Sequence, residues 1–149
     1  MNNDNIKLLL ENLSWNASQF DQSISVEALA KMEEINYSLL FDWERKDKWE
    51  NTIKVVEKIG TPKNTFFIPD LLKLMQDINW PGAWQAVEVL AKMENKTLLP
   101  ALCATIRDAY QEGDTLWLGG LKKVVERKEQ LGYFLGDSEI INMLQEADF

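Results

Sequence analysis

Three short segments of the chain share one spacing of large apolar residues. In each, a tryptophan is followed four positions later by a bulky apolar residue and seven positions later by a valine. The sets are Trp49, Ile53 and Val56; Trp80, Trp84 and Val87; and Trp117, Leu121 and Val124. Offsets of four and seven place side chains on one face of an α-helix. The pattern predicts three helices whose tryptophans lie in the core.

The distances between the sets indicate a repeat. Trp49 and Trp80 are 31 positions apart, Trp80 and Trp117 are 37 apart, and Pro69 and Pro100 are again 31 apart. Each proline stands early in a leucine-rich helix that precedes a tryptophan helix, so the repeating unit is a helix, a turn and a second helix. Valine and isoleucine occur at helical rather than alternating positions, and therefore no strand is predicted.

The predicted fold is all-α, with about eight helices joined by short loops. The early prolines and aliphatic stripes favour a HEAT-like helical-repeat array, an α-α superhelix, whose repeat-like core covers residues 47–129. An irregular antiparallel helical bundle is the alternative, because three irregular copies are few. No linker or low-complexity segment divides the sequence, so residues 1–149 are assigned to a single domain.

Polar residues stand at the predicted helix starts. Asp47, Asp77, Asn79 and Asp114 carry oxygens that can accept hydrogen bonds from the unpaired N–H groups of a first helical turn. Asp77 and Asp114 each lie three residues before a tryptophan of the repeat. A structural role should recur with a repeat, so Asp77, Asn79 and Asp114 are interpreted as helix caps rather than as a catalytic or metal-binding set.

Charge limits the class of partner. The sequence holds 24 acidic and 16 basic side chains, a formal net charge of −8. Proteins bind nucleic acids largely through Lys and Arg contacts to phosphate, and the few basic pairs here are interleaved with acids, so no nucleic-acid partner is predicted. An acidic surface is suited to steering a basic protein into contact, although the charge alone would also keep the chain soluble.

The sequence also bears on location. No apolar run approaches the roughly 20 residues that span a bilayer, and the polar start of the chain does not resemble a targeting segment. The single cysteine, Cys103, agrees with a reducing compartment. We therefore expect a cytoplasmic protein with no membrane partner.

Residue types exclude most enzyme classes. Histidine is absent, which removes the commonest general base and the commonest zinc ligand. One cysteine cannot build a thiolate metal cluster, and no catalytic triad, phosphate-binding loop or dinucleotide-binding motif is present. No catalytic residue, metal or cofactor is predicted, and the protein is not expected to be an enzyme.

Two tryptophans lack the helical register of the others. Trp15 and Trp43 lie in polar segments rich in acidic and aromatic residues, and interface hot spots favour aromatic side chains. Packing of the N-terminal helices onto the first repeat is the alternative role for this region. The candidate partner-binding residues are Trp15, Glu33, Glu34, Tyr37, Asp42, Trp43, Glu44 and Asp47.

The segment 68–83 reads IPDLLKLMQDINWPGA, a leucine-rich helix followed by Asp-x-Asn-Trp-Pro and small residues. In this it resembles the bacterial family catalogued as domain of unknown function 5071, and the resemblance extends over about Trp49 to Glu129. It implies a HEAT-like helical fold and carries no enzyme activity with it. Related small acidic bacterial proteins often act as immunity proteins that block a toxin.

Three functions follow from these observations. The first is a protein-binding module, more specifically an immunity protein that neutralises a bacterial toxin, such as a basic nuclease, by covering its surface. The second is a ligand-binding protein or carboxylate-dependent enzyme that uses a groove near Asp77 and Trp80. The third is a structural or oligomerising helical module.

Overall fold

A computed structural model describes residues 2–128 and 138–147. All regular elements in these ranges are helices, which confirms the all-α prediction. The α-helices are α1 (Asn3–Glu11), α2 (Gln19–Leu29), α3 (Trp49–Ile59), α4 (Ile68–Leu74), α5 (Ala83–Ala91), α6 (Asn95–Gln111), α7 (Thr115–Arg127) and α8 (Ser138–Leu144). Shorter 3₁₀ helices cover Glu34–Leu39, Lys46–Lys48 and Lys63–Phe67. Within the described ranges, no helix combines the length and the apolar character needed to cross a bilayer.

The chain forms two compact units, Met1–Phe66 and Phe67–Phe149. We call them unit 1 and unit 2. The boundary falls between α3 and α4, inside the predicted repeat core of residues 47–129. The assignment of all 149 residues to a single domain stays a prediction.

In unit 1, α2 packs against both α1 and α3. Ser18 begins α2, since its hydroxyl accepts a hydrogen bond from the Asp21 N–H at 3.0 Å. Trp49, at the start of α3, is buried, and its indole N–H donates to the Asp42 carbonyl oxygen at 2.8 Å. The core position predicted for Trp49 is therefore confirmed. The unit's core consists mainly of Ile6, Leu13, Val26, Leu29, Tyr37, Leu40, Ile53, Val55 and Val56.

In unit 2, α4 packs against α5 and α6, and α7 packs against the same two helices. The indole N–H of Trp117 on α7 donates to the Leu72 carbonyl oxygen of α4 at 3.0 Å. Gly120, one turn later, lies so close to α4 that a Cβ atom there would stand 2.1 Å from the Met75 carbonyl oxygen. These contacts hold α7 directly on the end of α4.

The second tryptophan set departs from its prediction. Gly82 adopts φ 84° and occupies the N-cap position, so α5 begins only at Ala83. Trp80 therefore precedes the helix, in a turn where its N–H donates to the Asp77 carbonyl oxygen at 3.0 Å. Trp84 is 53% exposed rather than buried, since α5 buries Ala83, Ala86, Val87, Val89 and Leu90 instead. The predicted helical alignment of Trp80 with Trp84 is wrong.

Two of the predicted helix caps are also corrected. Asn79 does not cap α5, since three residues separate it from the helix and the helix has no side-chain cap. The Asp77 carboxylate accepts from the Asn79 N–H at 2.8 Å, so Asp77 closes a turn instead of a helix. Asp114 does cap α7 as the sequence predicts, with its carboxylate accepting from the Trp117 N–H at 3.0 Å.

Candidate partner-binding surface

An ion-pair cluster in unit 1 fixes the loop that carries Trp15. The Arg45 guanidinium donates to the Glu11 carboxylate at 3.0 and 3.2 Å and to the Asp47 carboxylate at 2.9 and 3.0 Å. The Trp15 N–H donates to the Asp47 carbonyl oxygen at 2.9 Å. The backbone is thus held firmly, while the Trp15 side chain is 54% exposed.

Asp47 is engaged inside this cluster. Its hydrogen bonds to Arg45 are the main reason that the pKa of its carboxyl lies well below the usual value. Lys48, not Asp47, occupies the N-cap position of α3, and no side chain caps this helix. The predicted capping role of Asp47 is therefore wrong. Arg45, two residues earlier, binds the Asp47 carboxylate bidentately, and such a charged pair is stronger than a bond to a backbone N–H group at a helix start.

Trp43 belongs to an aromatic cluster rather than to open surface. Its ring stacks on Phe41, with centroids 5.3 Å apart, and meets Trp49 edge-on at 5.2 Å. The neighbouring carboxylates of Asp42 and Glu44 are exposed, and that of Asp42 accepts from the Glu44 N–H at 3.1 Å. Trp43 is therefore half-buried between two rings, with acidic side chains in solvent beside it.

An open groove in unit 1 joins two other predicted residues. Glu34 and Tyr37 line it from one side and Phe66 from the other, with Pro62, Lys63 and Thr65 completing a space of about 370 Å³. The rings of Tyr37 and Phe66 meet edge-on at 5.6 Å. Tyr37 is almost wholly buried, and burial, with a smaller contribution from the charge of Glu34, raises the pKa of its phenol. Phe66, by contrast, is 52% exposed.

The 3₁₀ helix Glu34–Leu39 carries the most exposed apolar residue of this surface. Ile35 is 83% exposed and Leu39 is half exposed, and the exposed residues Glu33 and Glu34 directly precede Ile35 in sequence. Residues 33–47 hold five acidic and two basic side chains, a local charge of −3. An exposed apolar patch that is rimmed by polar residues is typical of a surface that another protein covers.

These observations separate the eight candidate residues into groups. Trp15, Glu33, Glu34, Asp42 and Glu44 are exposed, Trp43 and Asp47 are half-buried in clusters, and Tyr37 is buried at the base of the groove. Sequence reasoning missed Ile35, Leu39 and Phe66. Ile35 alone carried a usable signal, since it directly follows two glutamates in a polar segment.

Two further findings bear on the site. Among residues 2–128 and 138–147, no three His, Cys, Asp or Glu side chains are placed to hold a metal ion. Comparison with protein-family models, with curated proteins and with solved structures finds no match to the chain. The resemblance to domain of unknown function 5071 accordingly stays a prediction.

Proposed function

We propose that this chain is a bacterial immunity protein that binds a basic toxin domain in the cytoplasm and blocks it by covering its surface. The observation that supports this most is the exposure of the large apolar side chains Ile35, Leu39 and Phe66 in unit 1, with the exposed residues Glu33 and Glu34 directly before Ile35 in sequence. We define the acidic apolar surface as Glu33, Glu34, Ile35, Leu39 and Phe66, and we assign partner binding to it.

The two residue types on this surface have separate roles. Complete burial of an isoleucine or phenylalanine side chain stabilises a complex by about 1.5–3 kcal/mol, so Ile35 and Phe66 supply affinity. The exposed carboxylates of Glu33 and Glu34 raise the rate of encounter with a basic partner and disfavour acidic ones. Groups in such an arrangement need no catalytic chemistry, because occlusion alone inactivates a toxin.

We also propose a HEAT-like arrangement for unit 2. The pairs α4–α5 and α6–α7 are each helix–turn–helix units, and α4 packs on α6 while α5 packs on α7. Corresponding helices of successive units lie side by side in a helical repeat, which is the arrangement these contacts favour. Membership of domain of unknown function 5071 is proposed on the same ground together with the segment 68–83.

Growth protection tests the proposed function. The product of the gene immediately upstream would be expressed from an inducible promoter, with and without this chain. We expect that product to arrest growth, the wild-type chain to restore growth, and the two proteins to copurify as a stable complex. A product that does not arrest growth, or arrest that persists without a complex, contradicts the proposal.

Matched charge reversals assign the surface. The pair Glu33→Lys with Glu34→Lys should lose protection, because it replaces the attraction with repulsion. The pair Glu112→Lys with Glu146→Lys changes the net charge equally at exposed positions of unit 2 and should still protect. If both double variants protect equally, this surface does not bind the toxin. If both lose protection, the loss reflects the change in net charge and not this surface.

A further inference from the structure

The side of α2 that does not join the core carries large apolar residues in solvent. The helix packs against α1 and α3, and its buried residues are Gln22, Ser25, Val26 and Leu29. Phe20 is 73% exposed and Ile24 is 45% exposed. Ala28 follows at the same spacing of four, which places these three side chains in one stripe along the helix. We call Phe20, Ile24 and Ala28 the outer face of α2.

An open groove of about 400 Å³ follows the outer face. Every residue that lines it belongs to α2 or lies within two residues of its end: Phe20, Ser23, Ile24, Glu27, Ala28 and Lys31. The groove therefore runs along one helix and is not enclosed by a second element. Such a groove does not surround a small molecule, but it can accept an amphipathic helix of another protein chain.

Opposite charges stand near the two ends of the outer face. Asp21 lies near its start and Lys31 lies just past its end, and both are exposed. Neither side chain forms an ion pair with a residue in the described ranges. Glu27, between them, is paired with Lys58 of α3 at 2.7 Å. The two remaining charges along the face cancel, whereas the whole chain has a net charge of −8.

This order of charges makes the outer face complementary to a second copy of itself. Asp21 and Lys31 are ten positions apart, about 15 Å along a helix. If two copies of α2 lie antiparallel with the two-fold axis at the level of Val26, Asp21 of each copy is level with Lys31 of the other. Ile24 is then level with Ala28 of the other copy, so a large side chain meets a small one. A parallel pair would place Asp21 beside Asp21, and like charges disfavour that arrangement.

We infer that the chain forms a two-fold symmetric dimer in which the outer faces of α2 pack antiparallel. Phe20 and Ile24 leave solvent, and Asp21 and Lys31 form an ion pair at each end of the contact. A basic partner would face Lys31 and an acidic partner would face Asp21, whereas a second copy pairs both charges. One helix from each copy buries less than the roughly 1,200 Å² of a standard interface, so the dimer is reversible, with a dissociation constant of about 10–100 µM. The inference goes beyond the proposed function, because the outer face shares no residue with the acidic apolar surface.

Sedimentation velocity of the full chain from about 5 to about 500 µM tests the dimer, since this range spans the expected dissociation constant. We expect one reversible step from monomer to dimer. A chain that stays monomeric at the highest concentration, or that forms larger assemblies in place of a dimer, overturns the inference. The result is independent of the proposed function, because no toxin enters the experiment.

Phe20→Asp tests the apolar part of the face and should weaken dimerisation at least about tenfold, because it places a charge where the two copies meet. Ile35→Asp makes the same change in charge at another exposed apolar position of unit 1, outside the groove, and should dimerise as the wild type does. Equal dimerisation of the two variants would show that the outer face of α2 is not the contact.

An exchange of charges within one chain distinguishes the antiparallel pair from any other contact. Lys31→Asp and Asp21→Lys each place like charges opposite each other at both ends of the pair and should weaken dimerisation at least about tenfold. The double variant restores opposite charges and should dimerise within about threefold of the wild type. Circular dichroism checks that each variant keeps the helical spectrum. Unchanged dimerisation in either single variant, or no recovery in the folded double variant, overturns the pairing.

Discussion

Trp117 and Trp49 use the same contact in the two units of the chain. Each indole N–H donates to a backbone carbonyl oxygen, that of Leu72 at 3.0 Å and that of Asp42 at 2.8 Å. Each of these oxygens also accepts a backbone N–H three residues later in its own segment. Each tryptophan therefore packs with its apolar ring and also bonds, through its indole N–H, to a backbone carbonyl oxygen that closes a turn.

The indole hydrogen bond can be removed while the ring is kept. Trp117→Phe should lower the free energy of unfolding by about 1 kcal/mol for the lost bond, with an added contribution from the smaller ring. Trp84→Phe, at an exposed position of the same unit, should change it by less than about 0.5 kcal/mol. Urea denaturation followed by circular dichroism measures both. Equal effects of the two changes would mean that the bond to Leu72 does not stabilise the unit.

The close approach of α7 to α4 requires glycine at position 120. Gly120→Ala places a methyl group 2.1 Å from the Met75 carbonyl oxygen, which is backbone and cannot move as a side chain does. We expect a loss of about 1–3 kcal/mol of unfolding free energy from overpacking, although alanine is the better helix former. Glu126→Ala, at an exposed position of the same helix, is the control. A Gly120→Ala protein as stable as the wild type would contradict the observed contact.

Asp114 caps a helix of unit 2 and Asn79 does not, so replacing these two residues should affect stability differently. Asp114→Ala removes the acceptor of the Trp117 N–H and should cost about 1 kcal/mol. Asn79→Ala should be nearly neutral, because Asn79 is exposed and caps no helix. Thermal unfolding of the two variants beside the wild type distinguishes them. A larger effect at Asn79 than at Asp114 would restore the helix start that the sequence predicted.

These outcomes show where the sequence was sufficient. The helix α7 was predicted because its apolar stripe and its cap residue Asp114 agree, whereas α3 was predicted by its apolar stripe alone. The start of α5 was missed because Gly82 adopts a left-handed conformation, which spacing does not reveal. The apolar stripe also predicted burial for Trp84, whereas the residues that α5 buries are Ala83, Ala86, Val87, Val89 and Leu90.

The candidate site was predicted only in its residue types. Acidic and aromatic residues in the N-terminal third pointed to the region, but their exposure depends on tertiary contacts. Tyr37 is buried and contacts Phe66, which is distant in sequence. Asp47 is engaged by Arg45, which also binds Glu11. Ile35 and Leu39 were missed because the 3₁₀ helix that carries them has only six residues, which is too short to show a periodic pattern of apolar positions.

The ion pair of Asp47 predicts a pH dependence for unit 1. Arg45 holds the pKa of Asp47 well below its usual 3.8, so the folded state binds fewer protons than the unfolded state in this range. The stabilisation is complete above the usual pKa and is lost as pH falls through it toward the folded value. Asp47→Asn should cost about 1 kcal/mol at neutral pH, and the difference from the wild type should narrow as the pH falls below about 4.

Urea denaturation at several pH values measures this difference. Glu44→Gln changes an exposed carboxylate of the same segment and should match the wild type at neutral pH. A stability difference between the wild type and Asp47→Asn that is constant from neutral to acidic pH would show that the carboxylate does not stabilise the folded state through its charge.

Affinity for the toxin domain, measured by calorimetric titration of Ile35→Asp, tests the central claim most directly. Ile35→Asp should weaken binding by at least about tenfold, because it removes the apolar contact and places a further charge in the interface. Leu116→Asp makes the same kind of change at an exposed leucine of unit 2 and should bind as the wild type does. Equal affinities of the two variants would contradict the assignment of partner binding to the acidic apolar surface.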